Sequence, residues 1–151
     1  MTLTLRPARE DEADALSRLA LASKAHRGYD AAFLAACRDA LRVTAGDIAR
    51  FPHVVAEREG TVVGFSSLCP GPEGWHLDKL FVSPTCTRQG VGVRLWQHTL
   101  AEARAADAPF LLIVSDLHAE GFYRAMGAER VGETPSEASP DRRLPLMRYG
   151  L

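Results

Sequence analysis

Cysteine is scarce and without pattern in this chain. Cys37, Cys69 and Cys86 form an odd number, no two stand in a CxxC spacing, and none has a histidine partner at zinc-site distance. That argues against a disulfide framework or a metal site and for buried or idle thiols in a reducing compartment. Net charge is nearly absent as well, −1 at neutral pH, so no general pull toward nucleic acid or an acidic membrane surface exists. No run of about 18 apolar residues occurs, and the opening segment lacks the apolar core of a signal peptide. A cytoplasmic protein with no membrane partner and no nucleic-acid partner is expected. The familiar phosphate-binding strings are missing too: there is no GxGxxG, and no Lys follows Gly92 to complete a GxxxxGK[ST].

What is present is an ordinary globular composition, 46% apolar and 25% charged over 151 residues. A chain of that length buries about 68–70% of its unfolded surface, and a single domain spanning 1–151 is expected. Its organising stretch is WHLDKLFVSPTCTRQGVGVRLWQHTL, residues 75–100. The first eight residues read as a strand stopped by Pro84. Leu95, Trp96, Thr99, Leu100 and Ala103 then recur at helical spacing and predict one buried stripe. Between strand and helix lie Thr87, Arg88, Gln89, Gly90, Val91 and Gly92. Two glycines at a helix mouth let backbone N–H groups approach a ligand, the helix N-terminus favours an anion, and Arg88 adds a positive charge. Cys86 beside this turn invites a reading as nucleophile, but nothing near it in sequence offers a base.

Along the rest of the chain, residues 3–6 alternate as a first strand, and 10–26 and 30–43 carry helical periodicity, with a looser turn over 46–50. Two strands over 53–59 and 61–68 hinge at Glu59-Gly60. Residues 70–74, PGPEG, read as a loop. An unbroken apolar run over 110–114 predicts a strand buried on both faces. A short helix is expected over 116–126, with Ser115 or Asp116 as N-cap and Gly127 as terminator. Last strands are expected over 128–132 and 146–149, flanking a polar loop that holds Arg142 and Arg143. The fold class is α/β (α+β): a mixed, mostly antiparallel central sheet with helices on both faces.

The strand ending at Val82, Pro84 just after it, and Gly90 and Gly92 opening a long helix resemble the acetyl-CoA signature of the GCN5-related N-acetyltransferase superfamily, [QR]-x-x-G-x-[GA]. Thr87 departs from its first position. A second stretch is similar to the family's N-x-x-A-x-x-[FL]-Y-x-x-x-G-F: Asp116, Ala119, Phe122, Tyr123 and Gly127, with Asp116 standing for Asn and Ala128 for the final Phe. The order of elements agrees with that family over nearly the whole chain.

The resemblance implies an acetyl-CoA-dependent N-acetyltransferase acting on a small-molecule or peptide amine by direct attack. It assigns the pyrophosphate to Thr87, Arg88, Gln89, Gly90, Val91, Gly92 and Val93, and the pantetheine arm to the main chain of Leu80, Phe81 and Val82. Asp116 and Tyr123 would also border the cofactor, and the Tyr123 hydroxyl would protonate the departing thiolate. The general base would lie at Asp78 or His76, which alternation places on one face with Leu80 and Val82. His26, Arg27 and Tyr29 would border the acceptor, Arg142 and Arg143 standing near the same mouth. A homodimer is compatible with the family. Two alternatives stay open: a non-catalytic acetyl-CoA sensor, and transfer of another acyl group or to another acceptor.

Overall fold

The computed structural model describes residues 2–151. Seven strands form one sheet: β1 Leu3–Pro7, β2 His53–Arg58, β3 Thr61–Gly71, β4 Gly74–Val82, β5 Phe110–Val114, β6 Glu129–Pro135 and β7 Arg143–Gly150, in the order β1-β2-β3-β4-β5-β7-β6. Every pairing is antiparallel except β4 with β5. That parallel step needs a crossover, and it is supplied by the long helix α4 Val91–Ala105.

Helices cover both faces, as the composition of the apolar stripes predicts. On one side α1 Ala13–Ala25 and α2 Ala31–Leu41 bury Leu16, Ala20, Cys37 and Leu41 against Val55 and Phe65. On the other, α4 presents the stripe read from sequence: Leu95, Trp96, Thr99, Leu100 and Ala103 are all buried. Trp96, Leu100 and Ala103 pack with Leu68, Leu77 and Ile113 from the sheet and with Tyr123 from α5 Glu120–Ala125.

Several boundaries differ from expectation for identifiable reasons. The 10–26 helix begins as a 3₁₀ turn, Glu10–Glu12, before α1. The looser turn is a capped helix, α3 Ala45–Arg50, in which Thr44 and Asp47 satisfy each other's backbone N–H. The expected loop over 70–74 shrinks to Pro72 and Glu73, because β3 and β4 continue through Pro70 paired with Trp75. The pairing of β2 with β3 ends at His53 and Ser67, so Pro70 has no strand on its other side, where its missing N–H would have mattered.

Candidate functional site

β4 and β5 pair only over Trp75–Leu77 and Leu111–Ile113. Beyond Leu77, β4 runs on to Val82 against β3 alone, and the two strands part into a cleft of about 480 Å³. That volume suits a bound small molecule. The far half of β4 thus presents an unpaired strand edge at Leu80, Phe81 and Val82. Asp78, His76, Leu80, Phe81, Asp116 and Tyr123 all line the cleft.

Asp78 occupies a bulge. Leu68 faces Leu77 and Ser67 faces Lys79, so Asp78 has no partner on β3 and the alternation changes phase there. This corrects the expected shared face. Trp75, Leu77, Leu80 and Val82 turn toward α4 and α5, whereas Phe81 packs with the α1–α2 cluster. His76, paired with Cys69, is on the α1–α2 side of the sheet, and Leu80 and Val82 are not. The Asp78 side chain is half-exposed and accepts from Lys79 Nζ at 2.9 Å. His76 Nδ1 lies 3.0 Å from the Gly74 carbonyl. A carbonyl only accepts, so Nδ1 carries the proton and Nε2 is left as the basic nitrogen. Gly71 makes room for that ring: a β-carbon there would come within 2.7 Å of His76 Cε1 and Nδ1.

Tyr123 projects from α5 with its ring against Trp96, centroids 5.7 Å apart, and edge-on to Phe122 at 5.2 Å. Among the described residues no side chain or backbone group hydrogen-bonds its hydroxyl. Burial pushes the phenol well above its ordinary value, and Asp116 adds to the rise while Arg27 opposes it. The group is neutral at physiological pH and holds a proton to give.

The glycine turn sits where β4 hands over to α4. Arg88 and Gly90 both adopt left-handed backbone, φ 62 and 81, and Gly90 is the N-cap of α4. Among the described residues no side chain caps the helix. Its first intrahelical bond runs from Arg94 N–H to Gly90 O, so the N–H groups of Val91, Gly92 and Val93 precede it and are open to an anion. Gly92 lies between Val82 and Phe122: a β-carbon there would be 3.4 Å from the Phe122 ring. Arg58 donates to Gln89 Oε1 and holds the exposed turn from β2. Thr87 follows the 3₁₀ turn Pro84–Cys86 in extended backbone. Thr87, Arg88 and Gln89 are exposed, and Val91 is buried.

Asp116 is neither the N-cap of α5, a place taken by Ala119, nor a free group. It accepts from Lys24 Nζ at 2.9 Å, Arg27 Nη1 at 3.0 Å, the Tyr29 hydroxyl at 3.0 Å and the His118 N–H at 2.8 Å. Burial alone would raise its carboxyl, but the hydrogen bond from Lys24, that from His118 and the charges of Lys24 and Arg27 hold it far below the carboxylate range. Tyr29 in turn accepts from Arg142 Nη2 at 2.6 Å. Lys24, Lys79 and Glu137 are the charged residues of this site that sequence reading missed. Lys24 carries the ordinary look of a basic residue in a last helical turn. His26 is exposed and is not among the residues lining the cleft, and Arg143 is exposed at the start of β7.

The sequence profile of the acetyltransferase (GNAT) family matches residues 15–128. No curated protein matches the sequence. Among solved structures, the PaiA N-acetyltransferase of Thermoplasma acidophilum in complex with coenzyme A superposes with TM-score 0.81 at 15% identity, covering 100% of each chain. YncA of Salmonella typhimurium with acetyl-CoA gives 0.70 at 18%, covering 100% of this chain and 95% of that one. A ribosomal-protein-alanine N-acetyltransferase of Brucella melitensis gives 0.71 at 24%, covering 98% and 99%. At these identities the likenesses show the fold alone. Among the described residues no helix is long and apolar enough to cross a membrane.

Proposed function

The chain belongs to the acetyltransferase (GNAT) family, and from that premise we propose that it moves the acetyl group of acetyl-CoA to the amine of a small molecule or peptide by direct attack. Residues 1–151 act as one domain in this reading. The observation that carries it is the parting of β4 from β5, which sets an unpaired strand edge between an uncapped helix mouth and a buried neutral phenol.

The donor fits this chain at both ends. A pantetheine arm carries amides that extend a strand edge, and Leu80, Phe81 and Val82 offer one. The open N–H groups of Val91, Gly92 and Val93, with Arg88 beside them, suit a pyrophosphate. When bound, acetyl-CoA supplies an activated thioester.

The remaining chemistry belongs to the protein. An amine at neutral pH is mostly ammonium and must lose a proton before it attacks, and His76 Nε2 and Asp78 are the bases within the cleft. The neutral Tyr123 hydroxyl is the acid available to a leaving thiolate. Asp116, satisfied by two cations, a hydroxyl and an N–H, fixes the α1–α2 connection and borders the cofactor from the cleft wall in this reading. The acceptor reading draws on the named substrates of the ribosomal-protein-alanine relative as well as on the cleft itself. The three free thiols favour a cytoplasmic location.

The test is an amine and peptide panel with acetyl-CoA, followed by free thiol. Release with some amines and not without acceptor supports transfer. Tight acetyl-CoA binding with no release across the panel would point to a cofactor sensor instead.

A further inference from the structure

The cleft is charged unevenly along its length. At one end Lys24 and Arg27 share the single carboxylate of Asp116, one on each oxygen. Arg142 stands behind Tyr29, its Nη2 on the Tyr29 hydroxyl and its guanidinium 5.0 Å from the Tyr29 ring centre and 4.7 Å from that of Phe33. Among the described residues no second carboxylate comes within ion-pair distance of these three cations. Arg142 Nη1 is buried without a hydrogen-bond acceptor among the described residues. Three cations therefore face one carboxylate, and Lys24 and Arg27, each with N–H donors to spare, line the cleft itself.

At the other end the balance reverses. Asp78 is paired with Lys79, and Glu137 lines the same wall with no ion-pair partner among the described residues. Two cysteines mark the separation. Burial pushes both thiols up; beyond burial, the charges that reach Cys37 are those of Lys24, Arg142 and Asp116, and those that reach Cys69 are those of Asp78, Lys79 and Glu137.

An amine without a carboxylate would leave the cationic end short of acceptors in a half-buried place, where unpaired charge is costly. An amine that also carries a carboxylate supplies the acceptor that the cationic end lacks. Its carboxylate meets Lys24 and Arg27, and its amine is held within the cleft that His76 and Asp78 also line. Resting on the acetyl-transfer reading above, we propose that the acceptor is an amino-carboxylate, an amino acid or a compound of that chemistry, and that Lys24 and Arg27 select it by its carboxylate.

The experiment compares a panel of free amino acids with their C-terminal amides as acceptors, by kcat/KM, in the wild type and in Arg27→Met and Lys24→Met. Charge-assisted hydrogen bonds of this kind predict a preference for the acids of about 10- to 100-fold. Each Met variant should reduce the rate with the acids far more than with the amides, and Arg27→Lys should restore part of the preference. Melting temperatures of the variants, taken alongside, separate lost recognition from lost folding. Amides accepted as well as acids, or a preference that survives both Met variants, overturns the proposal. A gain with succinyl-CoA over acetyl-CoA on a plain amine, lost in Arg27→Met, would place the carboxylate on the acyl chain and also overturns it. Failure of the acetyl-transfer reading looks different: no thiol is released with any amine. Heat stabilisation of the wild type by the acids but not the amides, absent in Arg27→Met, then still decides whether this corner holds a carboxylate.

Discussion

The Lys24 ammonium lies 2.9 Å from the Asp116 carboxylate, and both side chains are only 12% exposed. This contact ties the end of α1 to the segment between β5 and α5, across one end of the cleft. Removing the carboxylate strands Lys24 and Arg27 together. Asp116→Asn is expected to cost about 3 kcal/mol, roughly 6–12 °C in melting temperature for a chain of this size. Lys24→Met combined with Asp116→Asn should cost less than the sum of the two, since one of the two stranded charges is gone. The pH dependence follows from the direction of the shift. A carboxyl held low in the folded state stabilises fully above its unfolded value, near 4, and loses that contribution as pH falls toward the folded value. The gap in melting temperature between wild type and Asp116→Asn should therefore be constant above about pH 5 and close below pH 4. A gap that is the same at pH 3 and pH 7 would show that the charge is not what matters there.

Gly92 separates cofactor binding from folding. Acetyl-CoA at a hundred times its dissociation constant should stabilise the protein by about 2.7 kcal/mol. Gly92→Asp sets a negative charge at the helix mouth and should abolish that stabilisation. Its β-carbon would reach the Phe122 ring at 3.4 Å, an ordinary contact, so the free protein should stay folded. Gly92→Ala adds the same carbon without the charge and should keep much of the shift. An undiminished acetyl-CoA shift in Gly92→Asp would place the cofactor elsewhere.

The base is read from two substitutions made separately. His76→Gln and Asp78→Asn keep the size of each side chain and remove its titration. The one that carries the proton should lower kcat and move the acid limb of the pH–rate curve, with acetyl-CoA binding nearly unchanged. The His76 ring is seated by Gly74 O and by the bare face of Gly71, so Gly71→Ala should act as a positioning change. It should lower kcat in the same direction as His76→Gln if His76 is the base, and leave it alone if Asp78 is. Wild-type pH profiles in both single variants would remove both assignments.

The order of elements was legible because each rests on local signals: the α4 stripe, the Glu59-Gly60 hinge, the apolar run of β5. The face of β4 was misread because a bulge adds one unpaired residue and reverses every side chain beyond it. The sign of it was nevertheless present, since the apolar residues fall at Trp75 and Leu77 and then at Leu80 and Val82, three apart across Asp78. The fate of Asp116 was not legible at all. Its partners Lys24, Arg27 and Tyr29 lie near the other end of the chain, and no spacing rule joins residues 87 positions apart. Local chemistry made it a helix cap, and tertiary structure gave the carboxylate two cations instead.

Tyr123 allows the sharpest separation of packing from chemistry. Its ring is buried against Trp96 and Phe122 whatever the hydroxyl does, and the hydroxyl has no partner among the described residues. Tyr123→Phe keeps the ring and removes only the oxygen, so no cavity opens, and since no protein hydrogen bond is lost the stability should hold within about 1 kcal/mol. A general acid is needed when the thiolate leaves and not when the cofactor binds. The variant should therefore keep its acetyl-CoA affinity and lose kcat by a factor on the order of 10²–10⁴. Because burial holds the phenol above its ordinary value, the proton stays on through the neutral range, and the basic limb of the wild-type pH–rate curve should lie well into alkaline pH and disappear in Tyr123→Phe. A variant with near-normal kcat and an unchanged basic limb would leave Tyr123 as a packing residue and hand the protonation to water.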